Sequence, residues 1–206
     1  MIDYKTLLTF GDFIPLAMSC SVDKLFDEIK GFDFKQYQPR KDIKRYALSI
    51  TSLRGEINGI DLDNIYEIYK ETGKMYSVND FSTFTAVYNS SLEIQNLIKP
   101  FKDYIAKSHI INLPTGGYFP PHRDMRKVDN QESFRILVPI RGCNMPELYF
   151  MYEDKPLHFN MGNAYFVNTN KMHSIFSFTD NAYMLVMNIE CTDESLKKVG
   201  ELIKWK

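Results

Sequence analysis

The chain has 206 residues, 44% hydrophobic and 14% aromatic, with 25% charged. That is enough apolar material for one sizeable core and too little length for two independent enzymes, and it excludes disorder as the main state. Twenty-five Lys and Arg against 26 Asp and Glu leave a formal charge of −1, so no whole-molecule field draws in nucleic acid or an anionic membrane.

In the first half the texture is mixed. From Ser21 to Lys30 the apolar residues Val22, Leu25, Phe26 and Ile29 recur at three and four, predicting a short amphipathic helix that starts at Ser21 and ends at Gly31. Lys44–Leu53 alternates as a strand. Asp61–Thr72, stopped by Gly73, and Ser90–Tyr104, interrupted at Pro100, read as helices. Between them lies an aromatic and polar stretch, Tyr76–Thr85, whose aromatics read as core and whose Asn79 or Asp80 reads as a helix cap.

After about Ser108 the period becomes two. The runs Ser108–Leu113, Phe134–Ile140, Leu148–Tyr152, Pro156–Phe159, Ala164–Asn168, Ser174–Phe178 and Ala182–Glu190 follow one another, separated by turn residues such as Gly116-Gly117, Arg141-Gly142 and Gly162-Asn163. Regularly spaced short strands predict an antiparallel sandwich or barrel. Asp193–Lys204 closes the chain as a helix capped by Thr192 or Asp193, expected as a lid on the barrel. The expected organisation is one domain: a mixed flank over 1–107, a core over 108–192 and a terminal helix over 193–206.

Cys20, Cys143 and Cys191 are widely spaced and form no CxxC pair, which argues against a disulfide framework or a Cys-rich zinc site and for a reducing compartment. No run approaches the roughly 18 apolar residues of a spanning helix, and Asp3, Lys5, Gly11 and Asp12 break any signal-like stretch. A cytoplasmic location is the expectation, with neither membrane nor nucleic acid as partner.

Two of the four histidines carry chemistry. His122 lies in Gly116-Gly117-Tyr118-Phe119-Pro120-Pro121-His122-Arg123-Asp124, where His122 and Asp124, two apart on an extended segment, project to one face. Two neutral imidazoles and one carboxylate on a triangular face leave an iron(II) ion three open positions, as oxygen chemistry on an organic chelate requires. His173, 51 residues after His122 and opening the run Ser174–Phe178, supplies the second imidazole. An HxD by itself is unspecific, and a His on an apolar strand is ordinarily core. The joint pattern of diglycine turn, Pro-Pro entry, HxD, several strands and a distal His is what singles these residues out. His109 and His158 have no partner at ligand spacing and read as structural.

With these motifs the segment from Ser108 to Glu190, about two-fifths of the chain, resembles the iron(II)/2-oxoglutarate-dependent oxygenases. Their fold is the double-stranded β-helix, a jelly-roll, cupin-like core, here within an α+β, mainly β chain with flanking helices. Among them the segments around GGYFPPHRD, Phe134–Ile140, Gly162–Asn168 and Met172-His173-Ser174 look most like aspartyl/asparaginyl β-hydroxylase-type and related hydroxylases. The resemblance implies His122, Asp124 and His173 as metal ligands. It implies Fe(II), O2 and 2-oxoglutarate as cofactor and cosubstrates, and oxidative decarboxylation to succinate and CO2 coupled to C–H hydroxylation.

One departure stands out. Many members hold the distal carboxylate of 2-oxoglutarate with Arg or Lys about ten residues after the second His, where this chain has Tyr183. Burying that carboxylate unpaired costs several kcal/mol, so a cation is expected elsewhere. Arg135, in an apolar strand 13 residues after His122, is the candidate. Tyr183, Tyr118 and Ser174 are further candidate donors to the cosubstrate, with Asn112 or Asn188 at a carboxylate edge. Arg123, Arg126, Lys127, Arg141 and Lys171 are expected at the rim, partly offset by Asp129 and Glu132, with Arg141 and Arg126 as weak substrate-carboxylate candidates.

The expected substrate is a small carboxylate-bearing molecule such as an amino acid, with a peptide or protein side chain as the alternative. Two other classes stay open: a metal-binding cupin that does not use 2-oxoglutarate, and a barrel that only binds ligands.

Overall fold

The computed structural model describes residues 3–36, 42–62, 64–124 and 132–204. In chain order the first half holds α1 (Tyr4–Leu8), β1 (Phe13–Ser19), α2 (Val22–Ile29), β2 (Lys35–Gln36), β3 (Tyr46–Ser49), β4 (Thr51–Ser52), α3 (Ile65–Thr72), β5 (Thr83–Phe84), α4 (Ala86–Ser90) and α5 (Leu92–Ile98). The second half holds β6 (His109–Leu113), β7 (Tyr118–His122), β8 (Ser133–Arg141), β9 (Leu148–Tyr152), β10 (Lys155–Pro156), β11 (Asn163–Val167), β12 (His173–Ser177), β13 (Ala182–Glu190) and α6 (Asp193–Leu202).

Eight consecutive strands, β6 to β13, fill two antiparallel sheets, alternating between them except at the β9–β10 hairpin, which stays in one. One carries the order β11-β8-β13-β6 and the other β10-β9-β12-β7. This winding is the double-stranded β-helix, and the chain is an α+β protein built on that jelly-roll core. The flank does more than pack on it: β1 adds to β11, and β3 then β2 add to β6, so the larger sheet reaches seven strands.

Strand parity sorts the apolar residues into two cores. On β8, Phe134, Ile136, Val138 and Ile140 face the helices, with Leu185, Met187 and Ile189 of β13, and Leu137, Met184 and Val186 face the barrel interior. Helix α6 is capped by Thr192, one of the two residues expected there, with Thr192 and Ser195 exchanging backbone and side-chain bonds. It is not a lid: Leu196 and Val199 join the helix-side core, so α6 covers the outer face of the large sheet.

Four local expectations need correction. Lys44–Leu53 is not one strand: it breaks at Ile50, leaving β3 in the large sheet and β4 in a small hairpin with β5. The helix expected from Asp61 begins as a 3-10 turn at Ile60–Leu62, and α3 starts only after Asn64, whose side chain accepts from the Glu67 amide. The cap in the Tyr76–Thr85 stretch is Ser77, with Asp80 as its reciprocal partner. Of the run Pro156–Phe159 only Pro156 is in a strand, the two-residue β10 it forms with Lys155.

Candidate metal centre

His122 and His173 face each other on neighbouring strands, because β7 and β12 run antiparallel with these two residues paired. The register then slips: the next pair is Ile175 with Phe119, so three steps on β7 match two on β12. This bulge at Pro120-Pro121 turns both Phe119 and His122 toward the interior. Two prolines can stand there because β7 is the edge of its sheet and loses no ladder bond. Asp124 follows the end of β7, held by a bond from its amide to the Thr169 carbonyl at 2.9 Å.

Each imidazole has its Nδ1 beside a backbone carbonyl, Pro120 O at 2.7 Å for His122 and Lys171 O at 2.9 Å for His173. Donation from Nδ1 fixes the tautomer and leaves the Nε2 lone pair free to coordinate. The rings lie 4.2 Å apart between centroids, and His173 also stacks on Phe150. Burial pushes the His173 imidazole below its ordinary pKa, which keeps it neutral, as a ligand must be. The Asp124 carboxylate divides its two oxygens: Oδ1 lies 3.8 Å from His122 Nε2, and Oδ2 pairs with the Arg135 guanidinium at 3.0 Å. Ligand atoms of His122, Asp124 and His173 all lie within 4.8 Å of one another. Two neutral nitrogens and one carboxylate oxygen suit a divalent transition metal, and this set is capable of holding one.

These three residues border a cavity of about 360 Å³. Its apolar walls come from Ile111, Leu137, Phe150, Ile175, Met184 and Val186, with Phe119 at the bulge. Arg135 lines it too, and its Nε donates to Asn188 Oδ1 at 3.3 Å. Four further polar residues line this space that the sequence reading did not assign to it: Arg45, Asn64, His109 and Thr169.

Other candidates are not brought to the cavity. Tyr183 falls on the opposite face of β13, its ring edge-on to Phe26 and Phe34. Tyr118 stacks on Phe176 on the outer side of the small sheet, and Ser174, between the inward His173 and Ile175, does not line the cavity. Asn112 donates to the Ala182 carbonyl, and Asn188 bonds Arg135 and the Lys107 carbonyl. Arg141 is no rim residue: it lies over the Phe26 ring and pairs with Asp23 of α2 at 3.0 Å. Lys171 pairs with Asp12 and Glu153, and Arg123 and His158 are exposed. Arg126, Lys127 and Asp129 lie outside the described residues.

His109 is wholly buried, and that burial, with the charges of Lys107 and Arg135, pushes its pKa from 6.5 to about 3. Between these values the folded imidazole is neutral while an unfolded one is protonated. The unfolded state then binds more protons, so stability falls as pH drops through the window. His109→Gln is expected to reduce proton uptake on unfolding at pH 5 by about one. The check is the pH dependence of urea-unfolding free energy, whose slope there should flatten by about 1.4 kcal/mol per pH unit; an unchanged slope would remove His109 from the acid response.

No known family profile matches the chain, and no curated protein matches it. Solved structures do. An oxidoreductase of the 2OG-Fe(II) oxygenase family from Burkholderia pseudomallei is similar at 12% identity with a TM-score of 0.43, over 84% of this chain and 78% of that one. KdgF from Halomonas sp. is similar at 8% identity and 0.40, over 81% and 94%. A predicted oxalate decarboxylase from Thermotoga maritima is similar at 17% identity and 0.32, over 45% and 73%. Likenesses this remote carry no chemistry, and the fold assignment rests on the strand order. Among the described residues no helix is long and apolar enough to cross a membrane.

Proposed function

We propose that this chain is an iron(II)- and 2-oxoglutarate-dependent hydroxylase whose substrate is a small carboxylate-bearing molecule such as an amino acid. The observation that carries the reading is the donor set: two imidazoles with tautomers fixed by backbone carbonyls, and one carboxylate turned toward them, at the wall of an apolar cavity. A third ligand that is a carboxylate, rather than more histidine, favours this reading over a cupin that does not use 2-oxoglutarate. When bound, iron(II) with 2-oxoglutarate and O2 supplies oxidative decarboxylation to succinate and CO2 and the insertion of one oxygen atom into a C–H bond.

The chain's own residues do the rest. His122 and His173 present Nε2, and Asp124 presents Oδ1. Arg135 holds Oδ2 and so restrains the carboxylate to one-oxygen ligation. Phe119, Phe150, Ile175 and Met184 keep water from the space beside the ligands. A keto acid entering there brings two carboxylates, and the described lining holds two cations to meet them, Arg135 and Arg45.

The test uses purified protein under anaerobic conditions with Fe(II) and 2-oxoglutarate, then O2 and a pool of free amino acids. A visible charge-transfer band, succinate and a product heavier by one oxygen atom are the expected results. Neither band nor succinate would overturn the reading. Succinate with product formed only from a peptide pool would move the substrate to a protein side chain.

A further inference from the structure

The turn between β11 and β12, residues 168–172, carries two of the contacts that hold the ligand set in place. The Thr169 carbonyl accepts from the Asp124 amide at 2.9 Å, and the Lys171 carbonyl accepts from His173 Nδ1 at 2.9 Å. His122 bonds the Pro120 carbonyl of its own strand instead, so it does not lean on this turn. Where the turn sits therefore decides how His173 and Asp124 meet His122.

The barrel strands alone do not fix it. Asn168 opens the turn at 3% exposure, and an amide side chain so buried needs partners at both of its ends. Its Nδ2 donates to Asp12 Oδ1 at 2.7 Å, and its Oδ1 accepts from the Tyr4 hydroxyl at 3.3 Å and the Asn170 amide at 3.2 Å. Its backbone amide donates to the Asp12 carbonyl at 2.8 Å, and its carbonyl accepts from the Tyr152 hydroxyl at 2.7 Å. Of these partners Tyr152 belongs to the barrel, whereas Tyr4 is in α1 and Asp12 directly precedes β1.

Strand pairing brings Asp12 there. Phe13 of β1 lies opposite Val167 of β11, so in an antiparallel ladder the residue before Phe13 meets the residue after Val167. Phe13 is anchored in turn by stacking on Tyr165, with ring centroids 4.7 Å apart and planes 8° from parallel. Asp12 Oδ2 also faces Lys171 Nζ at 3.6 Å, and Glu153 shares that lysine at 3.5 Å. These longer, part-exposed ion pairs add little beside the bonds to Asn168.

We infer that Asp12 is a positioning residue for the metal centre: through Asn168 it clasps the 168–172 turn to the flank, and so sets the Thr169 and Lys171 carbonyls that orient Asp124 and His173. The strand β1 is then more than an added sheet edge, because it carries the outer end of this chain of bonds. The inference rests on the proposed metal centre for its purpose, while the coupling from Asp12 to the two ligands is measurable without metal.

Three variants of the full chain separate the clasp from general stability. Asp12→Ala removes the acceptor of the Asn168 side chain, Asp12→Asn keeps an oxygen there and removes the charge facing Lys171, and Glu153→Gln weakens the ion pair alone. Amide hydrogen exchange and imidazole nitrogen NMR are read first, on metal-free protein. Asp12→Ala should speed exchange at the Asp124 amide by about tenfold or more and shift the His173 Nδ1 signal, leaving the His122 signal in place. Asp12→Asn and Glu153→Gln should stay within about threefold of wild type in exchange. Mn(II) titration followed by electron paramagnetic resonance should then show Asp12→Ala binding about tenfold more weakly, the low end of the cost of losing an outer partner, with the other two variants near wild type.

A merely structural Asp12 would lower urea stability in Asp12→Ala while leaving Asp124 exchange, the His173 signal and Mn(II) affinity at wild-type values, and that result would overturn the inference. So would an equal loss in Glu153→Gln, which would assign the effect to the ion pair. If Asp12→Ala does not fold, metal-free wild type decides: the Asn168 and Asp124 amides should open together, with protection equal within about threefold, and an Asp124 amide about tenfold less protected overturns the clasp. Absence of Mn(II) binding in wild type would sink the metal-centre reading, and the metal-free exchange would still decide whether Asp12 reaches the two side chains.

Discussion

His173→Ala should abolish metal binding at the cavity while leaving the chain folded. Only three donor atoms converge there among the described residues, and the imidazole removed is the most enclosed of them, 4% exposed, stacked on Phe150 and tied to the Lys171 carbonyl. Loss of an outer partner of a ligand typically costs 10–100-fold in metal affinity, so loss of a ligand itself should cost more than about 100-fold. Mn(II) titration followed by electron paramagnetic resonance reads this directly, and succinate production should fall to background with it. Fold should persist, because β12 keeps its ladder to both β7 and β9 and the deleted ring faces the cavity rather than the packed helix-side core. Asp124→Ala is the less clean variant, since it leaves the Arg135 guanidinium without the carboxylate it pairs with at 3.0 Å. Wild-type Mn(II) affinity in His173→Ala would place the metal elsewhere and remove the basis of the proposed chemistry.

How much of this was legible beforehand divides along physical lines. Period two survives in β8, β11 and β13 because each carries opposed faces, one in each core, and in β9 because its inner face alone is buried; the bounds of these strands and of β12 fall within a residue or so of the sequence reading. The strand β7 hides behind Pro120-Pro121, which read as a rigid loop entry, although an edge position makes them admissible. The strand β1 hides for the same reason: Pro15 sits inside it, at the sheet edge beside β11, with an irregular register after it. His122, Asp124 and His173 could be read because chemistry restricts which residue types serve. Tyr183 misled because a spacing of ten counts residues and ignores parity. The inward positions of β13 are Met184 and Val186, and odd-numbered Tyr183 faces α2. Arg45 gave the opposite error. The strand reading Lys44–Leu53 gave it no role, and only the alternation Arg45, Ala47 against Leu48, Ile50 could have signalled an inward cation.

Gly117→Ala tests the joint that brings Arg45 to the site. The diglycine turn between β6 and β7 uses its two residues differently. Gly116 has φ +82° and open space where a Cβ would stand, so Gly116→Ala should cost only the left-handed backbone penalty, about 1–2 kcal/mol. At Gly117 a Cβ would collide with the Lys44 carbonyl and lie 2.9 Å from the Pro114 carbonyl, both backbone atoms that cannot swing aside. Gly117 is also pinned by its amide to Pro114 O at 2.7 Å and by its carbonyl to the Ser177 amide at 2.9 Å. The clash must therefore be relieved by moving the segment before β3, which carries Arg45 one residue on. A loss of about 2–3 kcal/mol or more is expected from such overpacking. Urea unfolding of the two variants side by side measures it, and Gly117→Ala should lose more than Gly116→Ala. If the two variants lose equal stability, the close approach of the Lys44 carbonyl to the turn is not what positions the segment that carries Arg45.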